Sequence, residues 1–533
     1  MEQNKVSNEI LEGNTILGIE FGSTRIKAVL INSQNEPIAQ GGFDWENSLV
    51  NGIWTYSLDE INTGLATSFK NLTQDVQNQY GVSLTKTKAL GISAMMHGYL
   101  AFDKHDELLV PFRTWRNTIT RDASEQLSEL FDYPVPERWS ISHLYQAILN
   151  KEEHVKNLAY VCTLASYVHW KLTGEKVLGI GDASGMFPID VQSHTYDKKM
   201  VKKFDTLIKD YNYSWDLSSL LPKALLAGEA AGKLTKQGAL LLDPTGTFEA
   251  GIPLCPPEGD AGTGMVATNS IAQRTGNVSA GTSVFAMIVL EKELSKSYNK
   301  FIDLVTTPDG SLVAMAHANN CTGEYDQWIR LFKQVVEATG NSIPKGKLYD
   351  ILLGKALEGD KDCGGLLPFN YISGETMTGI YEGRPLFVRL TNNHFTLENF
   401  MRAQLFTALG ALRTGMDILF EKEHVQVDAI NGHGGFFKTA EVGQKMMAAA
   451  MHTPISVLKT AGEGGAWGIA LLASYLVNAK DARLQDFLAN EVFASSEAAT
   501  VVPSLEDIEG FNVFFANYKK GLAVEKAAVE NLD

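Results

Sequence analysis

Apolar positions along the chain fall into short dense runs separated by polar turns, and two of those runs share one layout. Thr15 to Ile31 reads as an apolar strand, a Gly22-Ser23-Thr24 turn and a second apolar strand, which predicts a hairpin. Gly276 to Leu290 repeats the layout at mid-chain, with Ser279-Ala280-Gly281-Thr282-Ser283 at the turn. After the first hairpin, a turn at 33–36 leads into a third antiparallel strand over 37–43. A helix is predicted over 57–80, where Leu58, Ile61, Leu65, Phe69, Leu72 and Val76 recur near helical spacing. A buried strand over 88–93 and a hairpin over 102–111 follow. Residues 120–245 read as mostly helical, broken at Pro134, Pro136, Pro188 and Pro222. In the second half the pattern predicts a strand over 311–317, helices over 325–338 and 396–420, and a strand over 427–431. A helix over 442–451, a strand over 455–458 and a helix over 464–478 complete it.

Each half therefore runs as three antiparallel strands and then alternating helix and strand. That is an α/β fold of two actin-like (ribonuclease H-like) ATPase domains in tandem, with a nucleotide expected in a cleft between them. The length, 533 residues, exceeds what one hydrophobic core usually supports. The expected domains are 14–272 and 273–490, followed by a helical tail over 491–533.

Composition narrows the partners. The formal charge of −16 argues against nucleic acid or an anionic membrane. The four cysteines, Cys162, Cys255, Cys321 and Cys363, form no close pair, which points to a reducing cytoplasm rather than a disulfide framework. Met1 to Asn14 is polar, without the apolar core of a signal peptide, and no apolar run is long enough to span a bilayer.

The two turns offer what an acidic protein needs to bind an anionic nucleotide. Gly-Ser-Thr and Gly-Thr-Ser turns aim backbone N–H groups and hydroxyls at one point, a small anion nest. Gly22 and Gly281 let phosphate oxygens approach bare backbone, and Glu20 just before the first turn could hold a metal ion. Met95-Met96-His97-Gly98 follows the 88–93 strand, at the carboxyl end where ligands gather in α/β sheets. Gly179-Ile180-Gly181-Asp182-Ala183-Ser184-Gly185 has the look of a dinucleotide loop, but a glycine is missing from its place, and it reads as a structural turn.

Five short motifs in order give the chain a resemblance to the FGGY carbohydrate kinases over nearly its whole length. The first hairpin is similar to that family's phosphate-1 motif and Ser279 to Ser283 to phosphate-2. Asn431-Gly432-His433-Gly434-Gly435 is similar to the adenosine motif. Glu463-Gly464-Gly465-Ala466-Trp467 is similar to the closing Glu-Gly-Ala helix, and Gly365 to Phe369 with Ser373-Gly374-Glu375 to the second signature. The resemblance implies ATP and Mg²⁺ as cofactors and a small-molecule sugar as partner, with a homodimer allowed for. It implies Asp260 as the general base that takes the proton of the acceptor hydroxyl. Read on its own, Asp260 is better taken as an Asx-turn residue, and it is the resemblance that reverses the preference. The resemblance further implies nucleotide contacts at Gly22, Ser23, Thr24, Lys27, Gly281, Thr282, Ser283, Gly434, Gly435 and Lys438. Metal contacts are implied at Glu20 and Asp260, and sugar contacts at Met96, His97, Gly98, Trp115, Asn117 and Asp260. Trp115 fits either a wall against the sugar or a core position.

Three departures bear on the substrate. Glu20 stands where the family usually has aspartate. Ala261 follows the base where xylulokinases usually carry asparagine and ribulokinases alanine. Trp115-Arg116-Asn117 replaces Trp-Asn-Asp. The expected activity is ATP-dependent phosphorylation of the terminal hydroxyl of a ketopentose, xylulose or ribulose. Other readings are a kinase of glycerol, another polyol or a deoxy sugar, and a non-catalytic nucleotide-binding switch.

Overall fold

The computed structural model describes all residues except Met1, Glu463, Lys480, Glu497 and Asp533. The chain divides into two compact units, one of residues 1–271, 304–313 and 463–495, the other of 272–303, 314–462 and 496–533.

The sheet of the first unit is built by β1 (Ile16–Phe21), β2 (Arg25–Ile31), β3 (Pro37–Asp44), β4 (Ala89–Ala94) and β5 (Glu258–Gly259). Its order is β5-β4-β1-β2-β3. The β1–β2 and β2–β3 pairs are antiparallel, whereas β4 runs parallel to both β1 and β5. β4 is buried along its whole length, as a strand covered on both faces must be. One cover of the sheet, lying over β2 and β3, is helix Leu58–Tyr80, which starts in a reciprocal capping box between Ser57 and Glu60 and ends at Gly81 in the left-handed region, φ 69°. The other is helix Gly464–Asn478, which lies along β1 and β4. Gly18 makes that approach possible: a Cβ there would strike the Ala466 carbonyl. This helix packs with the first sheet although it comes late in the chain, and residues 463–495 accordingly belong to the first unit. Before β1, residues Glu2–Glu12 form a helix that the hydrophobic pattern did not indicate.

The second unit repeats the plan with β6 (Thr275–Ala280), β7 (Val284–Val289), β8 (Leu312–Ala318), β9 (Ala429–His433), β10 (Ile455–Leu458) and β11 (Ala498–Val501). Within this unit the order is β8-β7-β6-β9-β10-β11. β6 lies between its antiparallel partner β7 and the parallel β9, just as β1 lies between β2 and β4. Helices Leu397–Asp417 and Val442–Met451 and the terminal helix Leu505–Asn531 supply its buried apolar faces.

The hairpin expected over 102–111 is present as a short antiparallel turn, with Phe102 bridged to Leu108 and the Asp103 and Leu109 N–H groups bonded to the Glu107 and Ala101 carbonyls, while Leu100–Phe102 also pairs with Tyr160–Cys162. One local expectation is corrected. The strand expected over 427–431 is displaced to Ala429–His433, because Asn431 and His433 pair with Asn277 and Ser279. Among the described residues no helix is long and apolar enough to cross a membrane. All four cysteines are free and buried.

Candidate active site

The three parallel strands of the first unit end side by side. Glu20, Ser93 and Glu258 share one register across β1, β4 and β5, as do Phe21, Ala94 and Gly259 in the next row. Beyond those ends lie Gly22, the Met95-to-Gly98 turn and Asp260, which opens helix Asp260–Ala267. Carboxyl ends of parallel strands are where α/β sheets place ligands.

Asp260 is open to solvent, and its Oδ1 accepts the Met96 backbone N–H at 3.1 Å. The surrounding protein mass raises its carboxyl pKa, opposed by backbone amides. Glu20 is half-buried, and burial first, then the Asp260 charge, raises its carboxyl to about 7. Its Oε2 accepts the Ala466 N–H at 3.1 Å. Gly465 is required for that contact, since a Cβ there would collide with Glu20 Oε1 and come within 2.7 Å of Thr263 Oγ1. Lys27 sits opposite Glu20 on the hairpin and favours its charged form. The Glu463 expected to open the Glu-Gly-Ala helix lies outside the described residues.

The first turn is braced by aromatic residues. Trp45 Nε1 donates to the Gly22 carbonyl at 2.8 Å, Tyr56 donates to the Ser23 carbonyl, and Trp115 Nε1 donates to Ser23 Oγ at 3.2 Å. Trp45 and Tyr56 stack with centroids 4.0 Å apart. The Gly22 N–H closes the turn onto the Arg25 carbonyl at 3.0 Å, which leaves the exposed Thr24 at the tip. Trp115 is 41% exposed, so this ring is not a core residue.

Two residues assigned to the sugar have their polar atoms committed elsewhere. His97 is buried at φ 69°, with Nδ1 bonded to the Gly185 carbonyl at 3.1 Å and Nε2 accepting from Arg138 Nε at 3.1 Å. Burial and the Arg138 charge lower its pKa to about 3, so Nδ1 carries the proton and neither ring nitrogen is left for a hydroxyl. The Gly98 N–H goes to the Arg138 carbonyl at 3.2 Å. Asn117, 2% exposed, accepts from the Trp54 N–H and donates to the Trp54 and Thr114 carbonyls. Both correct the expectation of direct sugar contact: His97 shapes the turn that holds Asp260, and Asn117 ties the Trp115 loop to Trp54.

The sequence reading missed Glu258, Asp182, Arg138, Ser93 and Thr263. Each is remote in sequence from its partner, and the available signal was the glycine spacing of 179–185.

In the second unit the turn Gly281-Thr282-Ser283 stands at the end of β6, beside the end of β9. The Gly281 N–H bonds the Ser283 carbonyl at 2.8 Å, and the Thr282 and Gly281 carbonyls accept from Cys321 and Thr322 at 2.9 and 3.0 Å. Gly434 is held at φ 99°, where a Cβ would strike the Ala280 carbonyl. By contrast, a Cβ on Gly281 or Gly435 would meet nothing within 4 Å, and neither has a positive φ. Packing gives no reason for these two glycines. Lys438 is exposed just beyond them.

Comparisons with known proteins agree with this geometry. The FGGY family of carbohydrate kinases, N-terminal domain, matches residues 15–266, and its C-terminal domain matches residues 276–477. A xylulose kinase of Haemophilus influenzae is 22% identical over 94% of this chain and 98% of its own. A xylulose kinase of Klebsiella pneumoniae is 24% identical over 87% and 90%. Among solved structures, a ligand-bound xylulose kinase from Lactobacillus acidophilus superposes with TM-score 0.78 at 18% identity, covering 98% of this chain and 100% of that one. A gluconate kinase from the same species gives 0.77 at 17% over 97% and 99%, and Plasmodium falciparum glycerol kinase with ADP gives 0.75 at 16% over 96% and 98%. The chain belongs to the FGGY family of carbohydrate kinases, and it is an ATP-dependent sugar kinase.

Proposed function

We propose that the sugar is a ketopentose, phosphorylated at its terminal hydroxyl, with Asp260 as the general base. The observation that carries this reading is the Asp260 carboxylate: solvent-open, raised in pKa, and aimed by the Met96 N–H at the ends of three parallel strands. A raised carboxyl is a better proton acceptor than a free aspartate, and phosphoryl transfer asks the protein for little beyond positioning, charge stabilisation and this one proton. Trp115 offers an apolar wall beside the first turn. Gly22, Ser23, Thr24 and Lys27 face the transferred phosphate, while Gly281, Thr282, Ser283, Gly434, Gly435 and Lys438 hold the rest of the nucleotide.

Glu20 and Asp260 fit Mg²⁺. They are neighbouring carboxylates, the Asp260 charge raising the proton affinity of Glu20, a repulsion that a divalent cation relieves. Among the described residues no group of three or more His, Cys, Asp or Glu is placed to hold a metal unaided, so the ion would share its oxygens with the nucleotide phosphates, as Mg²⁺ usually does. It would supply neutralisation of phosphate charge.

Xylulose kinases among the relatives favour xylulose, and Ala261 keeps ribulose in the comparison. A coupled ADP-release assay over ketopentoses, ketohexoses, gluconate and polyols tests the assignment. Xylulose or ribulose is expected to give the highest kcat/KM. A preference for gluconate or glycerol would overturn the ketopentose reading.

A further inference from the structure

The segment Gly179-Ile180-Gly181-Asp182-Ala183-Ser184-Gly185 binds no nucleotide in the reading above, yet its glycines have a use. Glu258, 1% exposed, points its carboxylate into this segment, where Oε1 accepts the Gly181 N–H at 3.1 Å and Oε2 the Asp182 N–H at 2.9 Å. Oε2 also lies 3.3 Å from the Gly259 nitrogen. A Cβ on Gly179 would collide with the same carboxylate, and one on Gly181 would stand 2.6 Å from Oε2. The Gly179 N–H bonds the Pro257 carbonyl at 2.7 Å. At its other end the segment meets the Met96 turn: the Gly185 carbonyl takes His97 Nδ1, and a Cβ on Gly185 would stand 2.9 Å from the Met96 Cε. Asp182 completes the wrap. Its Oδ2 accepts Thr163 Oγ1 at 2.7 Å, and its Oδ1 would lie 3.1 Å from a Cβ on Gly259.

One loop thus holds both of the elements that flank Asp260. Glu258 stands two residues before it, on the strand that delivers it, and Met96 supplies the N–H that aims its carboxylate. We infer that Glu258, seated in the Gly179–Gly181 cradle, is a positioning residue for phosphoryl transfer: it fixes the backbone from which Asp260 reaches the acceptor hydroxyl. This rests on the reading of Asp260 as the base. A buried carboxylate bonded to consecutive amides has little freedom, and so neither does the strand end that carries it. Misplacing a reacting group by about 1 Å can cost roughly 10²-fold in rate.

The test measures kcat and both KM values with the fastest-turning ketopentose, alongside thermal melting. Glu258→Ala is expected to lower kcat by roughly 10²-fold and leave the KM for ATP unchanged. Glu258→Gln, which keeps the shape and one acceptor oxygen, should lose less. In an Asp260→Asn background, adding Glu258→Ala should cost no more than about twofold, the scatter expected when one residue acts only through the other. Unchanged kcat in a folded Glu258→Ala overturns the inference, as does an equal loss in both backgrounds. If Glu258→Ala does not fold, Glu258→Gln decides by the same readings, a lowered kcat supporting the inference and an unchanged one overturning it. Near-normal turnover by Asp260→Asn would remove the base assignment itself. An impaired Asp260→Asn with normal Glu258 variants would remove only the present inference.

Discussion

The hairpin turns of the two units are built from one plan and have diverged in what surrounds them. In the first, Glu20 stands two residues before Gly22, Asp260 opens a helix nearby, and three aromatic donors brace the turn. In the second, Ser279 occupies the place of Glu20, and the turn is braced by the backbone amides of Cys321 and Thr322. Those amides are themselves anchored, since buried Glu375 accepts the Asn319 N–H at 2.8 Å and lies 3.3 Å from that of Asn320. The first end carries carboxylates with raised pKa and the second carries bare glycine backbone. A duplicated sheet has kept its strand order while the side chains at its two ends have diverged: carboxylates stand at one, bare glycine backbone at the other.

Removing the carboxylate that sets the first end apart should have the largest effect. Asp260→Asn is expected to lower kcat by roughly 10²–10⁴, the usual worth of a general base, while nucleotide binding by calorimetry stays near normal. A folded Asp260→Asn with normal turnover would erase the chemical distinction between the two ends.

The glycines of the second end give the next largest effects, and they separate into two kinds. Gly434→Ala forces a side chain into a positive φ and onto the Ala280 carbonyl, a strain of about 1–3 kcal/mol, so both the melting temperature and ATP affinity should fall. Gly281→Ala enters open space and should leave stability within about 0.5 kcal/mol. It should still raise the KM for ATP by roughly tenfold, the loss of about one hydrogen bond to a charged group. If Gly281→Ala leaves that constant unmoved, bare backbone at this turn is not what the nucleotide reads.

Much of this was legible beforehand. The two hairpins and the 442–451, 455–458 and 464–478 elements follow from short-range pattern, where period and turn residues agree, whereas the glycine-rich stretch around Asp260 reads as a turn and is instead the start of a helix. What the pattern could not reveal were partners far apart in sequence. Helix Gly464–Asn478 rests on β1 because Gly18 and Gly465 permit close approach, which no local period records. His97 and Asn117 have suitable chemistry for a sugar, yet Arg138, Gly185 and Trp54 take their polar atoms first. The segment 179–185 reads as a structural turn, and its glycines make room for a partner no local pattern records, the chain's own Glu258 carboxyl.

A pH dependence of stability also belongs to the first end. Burial raises both Glu20 and Glu258 from 4.5 to about 7. A carboxyl with a raised folded-state pKa binds its proton more tightly folded than unfolded, so its contribution is fully present below about 4.5 and is lost as pH rises through about 7. The melting temperature of the ligand-free protein should therefore fall between pH 5 and 8. Glu258→Gln, which cannot ionise, should flatten part of that slope. An identical slope in the variant would mean that Glu258 is charged throughout, and the first end would lose part of its contrast with the second.

The smallest effect concerns the aromatic brace. Trp115→Phe keeps a flat apolar face but removes the Nε1 donor to Ser23 Oγ, a 3.2 Å bond at a ring that is 41% exposed. A bond so open to water is worth about 0.5–1.5 kcal/mol, so stability should barely change. If Trp115 acts as a wall for the sugar, Phe should hold the sugar KM within a few-fold, whereas Trp115→Ala should raise it distinctly more, with the KM for ATP moving little in either. If instead the indole's main use is to fix Ser23 for phosphate contact, Phe and Ala should be equally impaired, and the loss should show in the ATP constant. The two variants thus decide whether the brace that distinguishes the first turn serves the sugar or the phosphate.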